Sequence, residues 1–103
     1  MGNPMRIRAT AKDGVTEVKV LMNHEMETGQ RKDSSGNIIP AHHITELTAK
    51  LNDKQVLAMQ MGPSVSKNPY LMFKFKGGAP GDTVTVAWVD NKGDSRTDQV
   101  QIK

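Results

Sequence analysis

His24, Glu25 and Met26 stand together just past a run of alternating apolar residues, and His42 and His43 are adjacent ahead of another. Imidazole and thioether are donors that copper accepts readily. A copper or other metal site built from His24, Met26 and one of His42 or His43 is therefore one chemistry this chain offers. Adjacent strand residues point to opposite faces, so His42 and His43 cannot both enter one site without a bulge or turn. Such a site also requires two loops to meet in space. The ordinary reading of these residues is hydrogen-bonded loop or edge histidine.

Other chemistries find less support. Glu25, Glu27, Asp33, Asp82, Asp90, Asp94 and Asp98 fall mostly in turns and loops, where an aspartate commonly accepts from its own backbone. Ser34, Ser35, Ser64 and Ser66 lie in no nucleophile motif. Gly77-Gly78-Ala79-Pro80-Gly81 lacks the Lys-Ser/Thr element and the following helix that a phosphate loop needs, and reads as a turn with positive-φ positions. The chain has no cysteine, which excludes a disulfide framework, a thiolate metal site and a thiol nucleophile of its own. The expectation is a protein without catalytic residues or a cofactor.

The elements that must position these residues are strands. Met5–Thr10 alternates apolar and polar residues, as do Val15–Met22, Tyr70–Lys76 and Thr83–Val89. Leu71, Phe73 and Phe75 share one face, as do Val84, Val86 and Trp88, and Arg96, Asp98, Val100 and Ile102. His42–Leu51 is ambiguous, because Ile44, Leu47 and Leu51 also have helical spacing, but its Ile and Thr content favours a strand. Val56–Met61 is a short apolar strand that Gly62-Pro63 stops. Asn23–Ala41 is the longest irregular tract. Roughly seven short strands, turn-rich connections and no convincing helix predict one all-β domain over residues 1–103, an immunoglobulin-like antiparallel β-sandwich rather than a barrel.

The net charge is +3, with cations dispersed along the chain and aromatic residues only 4% of it. A nucleic-acid reader would show a concentrated basic stripe and stacking aromatics, so nucleic acid is not the expected partner. No apolar stretch is long enough to cross a membrane, and the first residues show no apolar run of signal length. Leu21, Tyr70 and Met72 occupy faces that alternation would make polar, and seven methionines supply adaptable apolar surface. A partner-binding sheet face is the best reading of composition. Tyr70, Met72 and Trp88 are candidates for that interface or for the core beside it.

The stretches His24–Asp33, Ile39–His42, Gly62–Gly78 and Gly81–Asp98 together resemble the SoxZ family, the small subunit of the SoxYZ carrier of thiosulfate oxidation. The resemblance implies an immunoglobulin-like sandwich that forms a heterodimer with a SoxY-like subunit, whose cysteine carries the sulfur intermediates. It implies a non-catalytic chain, in transient contact with other sulfur-oxidation enzymes. It also implies a periplasmic location, reached by export together with a signal-bearing partner. The loop His24–Asp33 then becomes a leading partner contact, with His24, Met26 and Arg31 as its candidate residues. Glu25 stands where many relatives are expected to have proline, which would leave this loop less rigid.

Overall fold

The computed structural model describes residues 2–62 and 64–103; the stop expected at Pro63 lies partly outside them. Seven strands form: β1 (Arg6–Lys12), β2 (Val15–Leu21), β3 (Ile44–Leu51), β4 (Lys54–Gln60), β5 (Tyr70–Lys76), β6 (Thr83–Asp90) and β7 (Ser95–Gln101). They make two antiparallel sheets, ordered β1-β2-β5 and β4-β3-β6-β7. No helix occurs among the described residues. The expected immunoglobulin-like sandwich is the observed architecture.

Strand alternation sorts the residues as the period-2 pattern requires. Val18 and Val20 from β2, Leu47 and Ala49 from β3, and Val84, Val86 and Trp88 from β6 are all buried between the sheets. Each fully buried Val or Leu side chain contributes about 1.5–3 kcal/mol. Trp88 is the largest of these buried side chains, in a chain with few other rings to fill the space.

The ambiguous spacing in β3 has a structural cause. The register against β6 shifts between Ile44 and Glu46, so Ile44 and Leu47 both face the core although they are three residues apart. A β-bulge thus imitates the helical period.

Three of the turns are hairpins. The β1–β2 turn places Asp13 and Gly14 at φ 54° and 80°, the two positive values that a tight two-residue hairpin favours. The Gly77–Asp82 connection instead crosses from one sheet to the other. It passes close beneath β2: Thr16 Oγ1 donates to the Gly77 carbonyl at 2.7 Å, and a Cβ on Gly78 would lie 2.4 Å from Thr16 Oγ1. With φ at 82°, only glycine suits position 78.

The two long sides of the sandwich differ. On the β1/β7 side, the Met5 amide donates to Asp98 Oδ2 (2.8 Å), the Ala11 amide to the Lys103 carbonyl (3.0 Å) and the Lys103 amide to the Ala9 carbonyl (3.0 Å). On the other side, the outer edges of β4 and β5 pair with no strand among the described residues.

Candidate functional site

At one end of the sandwich the long 23–43 connection, the segment before β5 and the β6–β7 hairpin converge on Asp90. The hairpin is built around this residue. Its Oδ1 accepts from the Lys92 and Asp94 amides, both at 2.9 Å, while its own amide donates to the Asp94 carbonyl. Gly93 completes the turn at φ 84°. Asp90 Oδ2 is thereby aimed inward, where it receives Nε2 of His24 at 3.0 Å and Nε2 of His42 at 2.8 Å.

Each histidine is set by its own loop. The His24 amide donates to Asn68 Oδ1 and the Asn68 amide returns a bond to the His24 carbonyl, which ties the start of the loop to the approach of β5. His42 and Glu27 exchange two backbone hydrogen bonds, so the loop folds back on itself as a short ladder. Asn91 holds the same segment to the hairpin, its Nδ2 donating to Ala41 O and its Oδ1 accepting from the His43 amide.

Burial by itself would raise the Asp90 pKa. The hydrogen bonds from His24 and His42, followed by those from the Asp94 and Lys92 amides, outweigh it and lower the value to about 2. The carboxylate is therefore ionised in the folded protein, with its side chain wholly inaccessible.

The tautomer of His24 follows from its neighbours. Nδ1 accepts the Met26 amide at 3.1 Å, so the ring proton sits on Nε2 and is donated to Asp90. The His24 ring meets His42 at 4.5 Å and stands perpendicular to the Trp88 indole at 5.0 Å. Trp88 Nε1 has no hydrogen-bond partner among the described residues. An unmet buried donor costs about 1–3 kcal/mol, which the burial of the indole must offset.

This arrangement bears on the metal reading. His24, His42 and Asp90 place ligand atoms within 4.8 Å of one another, so the two loops do meet. The expected ligand set is nevertheless not assembled. Met26 Sδ is engaged with the Ile44 amide at 3.4 Å, and His43 turns to the Ile44 carbonyl. Asp90 takes the third position. A metal on His24 Nε2 would move the ring proton to Nδ1, directly against the Met26 N–H. Metal-bound imidazoles donate their second nitrogen to an acceptor, and here that nitrogen faces a donor. The chemistry of the cluster is that of a carboxylate clamped by two imidazole donors.

The partner-contact candidates divide by exposure. Tyr70 and Met72 are 61% and 50% exposed, and Arg31 lies on the surface in a two-point ion pair with Glu27. His24, Met26 and Trp88 are buried, at 6%, 5% and 1%. Within this chain these three lie beneath the surface, and for Trp88 that is the core alternative of the sequence expectation. Trp88 belongs to the core, and the other two shape the loop from beneath because their polar atoms and sulfur are used within the chain.

Two features escaped sequence reasoning. Asp90 was legible as a turn residue, but its histidine partners lie 66 and 48 positions away and no local pattern announces them. The dispersed cations are also sorted by the topology, since Arg6, Arg8, Lys12, Lys19, Lys74 and Lys76 alternate with inward residues on the three strands of one sheet. Alternation within each strand carried that signal, but the strand order was needed to read it.

No curated protein matches the chain. At the level of families, residues 5–101 match the family described as "Sulphur oxidation protein SoxZ". The match spans all seven strands, the loop bearing His24 and His42, and the hairpin bearing Asp90. The chain belongs to the SoxZ family of sulfur-oxidation proteins.

Proposed function

We propose that this protein is the non-catalytic half of a sulfur carrier, forming a heterodimer with a SoxY-like subunit whose cysteine bears the sulfur intermediates of thiosulfate oxidation. The observation that carries this reading is a family match over residues 5–101 in a chain with no cysteine. Covalent sulfur transfer needs a thiolate, and another chain has to supply it. The polar cluster supports the same division of labour, because its carboxylate and the His24 ring spend their hydrogen-bonding atoms on one another and on the backbone. They hold a loop in place and present no positioned acid or base to a substrate. We place the complex in the periplasm, exported with its signal-bearing partner and visited transiently by other sulfur-oxidation enzymes.

Co-expression with the SoxY-like subunit tests the proposal. A stable 1:1 complex on size exclusion is the expected result, with labelled thiosulfate-derived sulfur retained only on the partner. A monodisperse chain that never captures that subunit, or covalent sulfur found on this chain, would refute it.

A further inference from the structure

The outward residues of the three-stranded sheet fall into rows set by the strand register. Arg6, Leu21 and Tyr70 form one row and Arg8, Lys19 and Met72 the next. Thr10, Glu17 and Lys74 follow, and then Lys12, Val15 and Lys76. Glu17 is the one carboxylate in these rows, and it lies 3.6 Å from Lys19 and 3.9 Å from Lys74. Arg6 and Arg8 have no ion pair among the described residues and sit on adjacent rows of the β1 edge. The outer face of the other sheet is neutral by contrast: a central row of Ala58, Thr48, Ala87 and Thr97 is flanked by rows carrying one glutamate, Glu46, and one lysine, Lys50. The net positive charge of the strands falls on one sheet, because Lys50, Lys54 and Arg96 of the other are matched by Glu46, Asp90 and Asp98.

Apolar surface gathers at one corner of that same sheet. Leu21, Tyr70 and Met72 account for three of the five large apolar side chains exposed in the described structure. Tyr70 forms a ridge between two hollows. On the sheet face lies one of about 220 Å³, bordered by Arg6, Arg8, Lys19 and Leu21. Over the β5 edge lies a second of about 200 Å³, whose walls include Met22, Met59, Met61 and Leu71. Between Pro69 and Lys74 the edge carries no charge, so the backbone from Tyr70 to Phe73 has neither the lysine nor the proline that usually protects an open strand.

Size selects how this surface is used. Three strands at ~4.8 Å spacing and seven residues at ~3.3 Å rise offer only about 300 Å² of flat face. A stable interface takes about 800 Å² from each partner. An occupant must therefore continue over the β5 edge into the methionine-lined hollow.

We propose that this corner seats the SoxY-like subunit. An apolar segment of the partner lies along β5 from Tyr70 to Phe73, and its carboxylates meet Arg6, Arg8 and Lys19. The proposal rests on the carrier reading above and adds where the partner sits and what its surface is made of. An apolar centre with an arginine-bearing rim is the usual anatomy of a specific interface. Opposite charge at such a rim speeds association and makes it sensitive to salt.

The test uses the SoxY-like subunit captured on a sensor surface, with association and dissociation followed at low and high salt. The double variant Arg6→Glu/Arg8→Glu should slow association at least tenfold at low salt and lose most of the salt dependence. Tyr70→Ser should speed dissociation at least tenfold. Thr97→Glu, on the neutral sheet, should leave both rates within twofold. Melting curves of each variant confirm that the fold is intact. If the wild-type chain binds and the corner variants bind equally well, or Thr97→Glu alone abolishes binding, the location is wrong while the carrier reading stands. Failure of the wild-type chain to bind at all overturns both. Self-association of the chain through Tyr70 in place of binding the partner overturns the assigned occupant.

Discussion

The Asp90 cluster and the arginine-rimmed corner of the three-stranded sheet are built on opposite principles. At Asp90, both carboxylate oxygens are occupied, both histidines donate inward and the side chain is closed to solvent. At the corner, two guanidiniums lack carboxylate partners among the described residues and Tyr70 is 61% exposed. Charged groups that satisfy one another stabilise a chain's own geometry, whereas those left open are available to another molecule. The histidines drew attention in the sequence because of their chemistry, yet they belong to the structural region.

Asp90→Ala breaks the comparison most severely. It leaves two imidazole donors and two amides without an acceptor, and a loss of about 3–5 kcal/mol is expected in urea unfolding. A change smaller than 1 kcal/mol would show that the cluster does not hold this end together.

Acid tests the same region without mutation. Because the folded pKa of Asp90 is lowered from 3.8 to about 2, its stabilisation is complete above pH 3.8 and lost as pH falls through about 2. The contribution is roughly 2 kcal/mol, read as the extra drop in stability between pH 4 and 2 relative to a variant lacking the carboxylate. His42→Ala removes one of the two imidazole donors from a side chain that is partly exposed, and about 1 kcal/mol is the expected cost by thermal unfolding. At the corner, Tyr70→Ser should change stability by no more than about 0.5 kcal/mol while its effect appears in partner dissociation. A large loss of stability there would move Tyr70 into the structural class. Titration with copper or zinc sharpens the contrast further: with His24 Nδ1 facing the Met26 amide, no stoichiometric uptake dependent on His24 is expected.

The fold was largely legible because each strand carries its own alternation. Val84, Val86 and Trp88 needed no knowledge of their neighbours to be placed inside, nor did Leu71, Phe73 and Phe75 to share a face. β3 was ambiguous for a local reason, the bulge that sets Ile44 and Leu47 on one side. The site was less legible because its decisive contacts are long-range. His24 and Asp90 come together only once β2 and β6 are facing layers, and the basic face appears only once β1, β2 and β5 are neighbours. Met26 shows the same limit: its type suggests a ligand or a contact, and only the fold brings its sulfur to the Ile44 amide.

The closure of the β1/β7 side bears on how the protein is made. The Met5 amide meets an acceptor 93 positions later, and the β1 backbone is completed by Lys103. Contacts of that separation form slowly, because a long loop must be ordered before they are gained. As the chain leaves the ribosome, β1 waits for nearly the whole of this sequence. The hairpins have local partners and can pair early, whereas β1 stays without its β7 neighbour until late. That seam should be the last to acquire hydrogen-exchange protection, and the interval before it closes is when the chain is most exposed to mispairing.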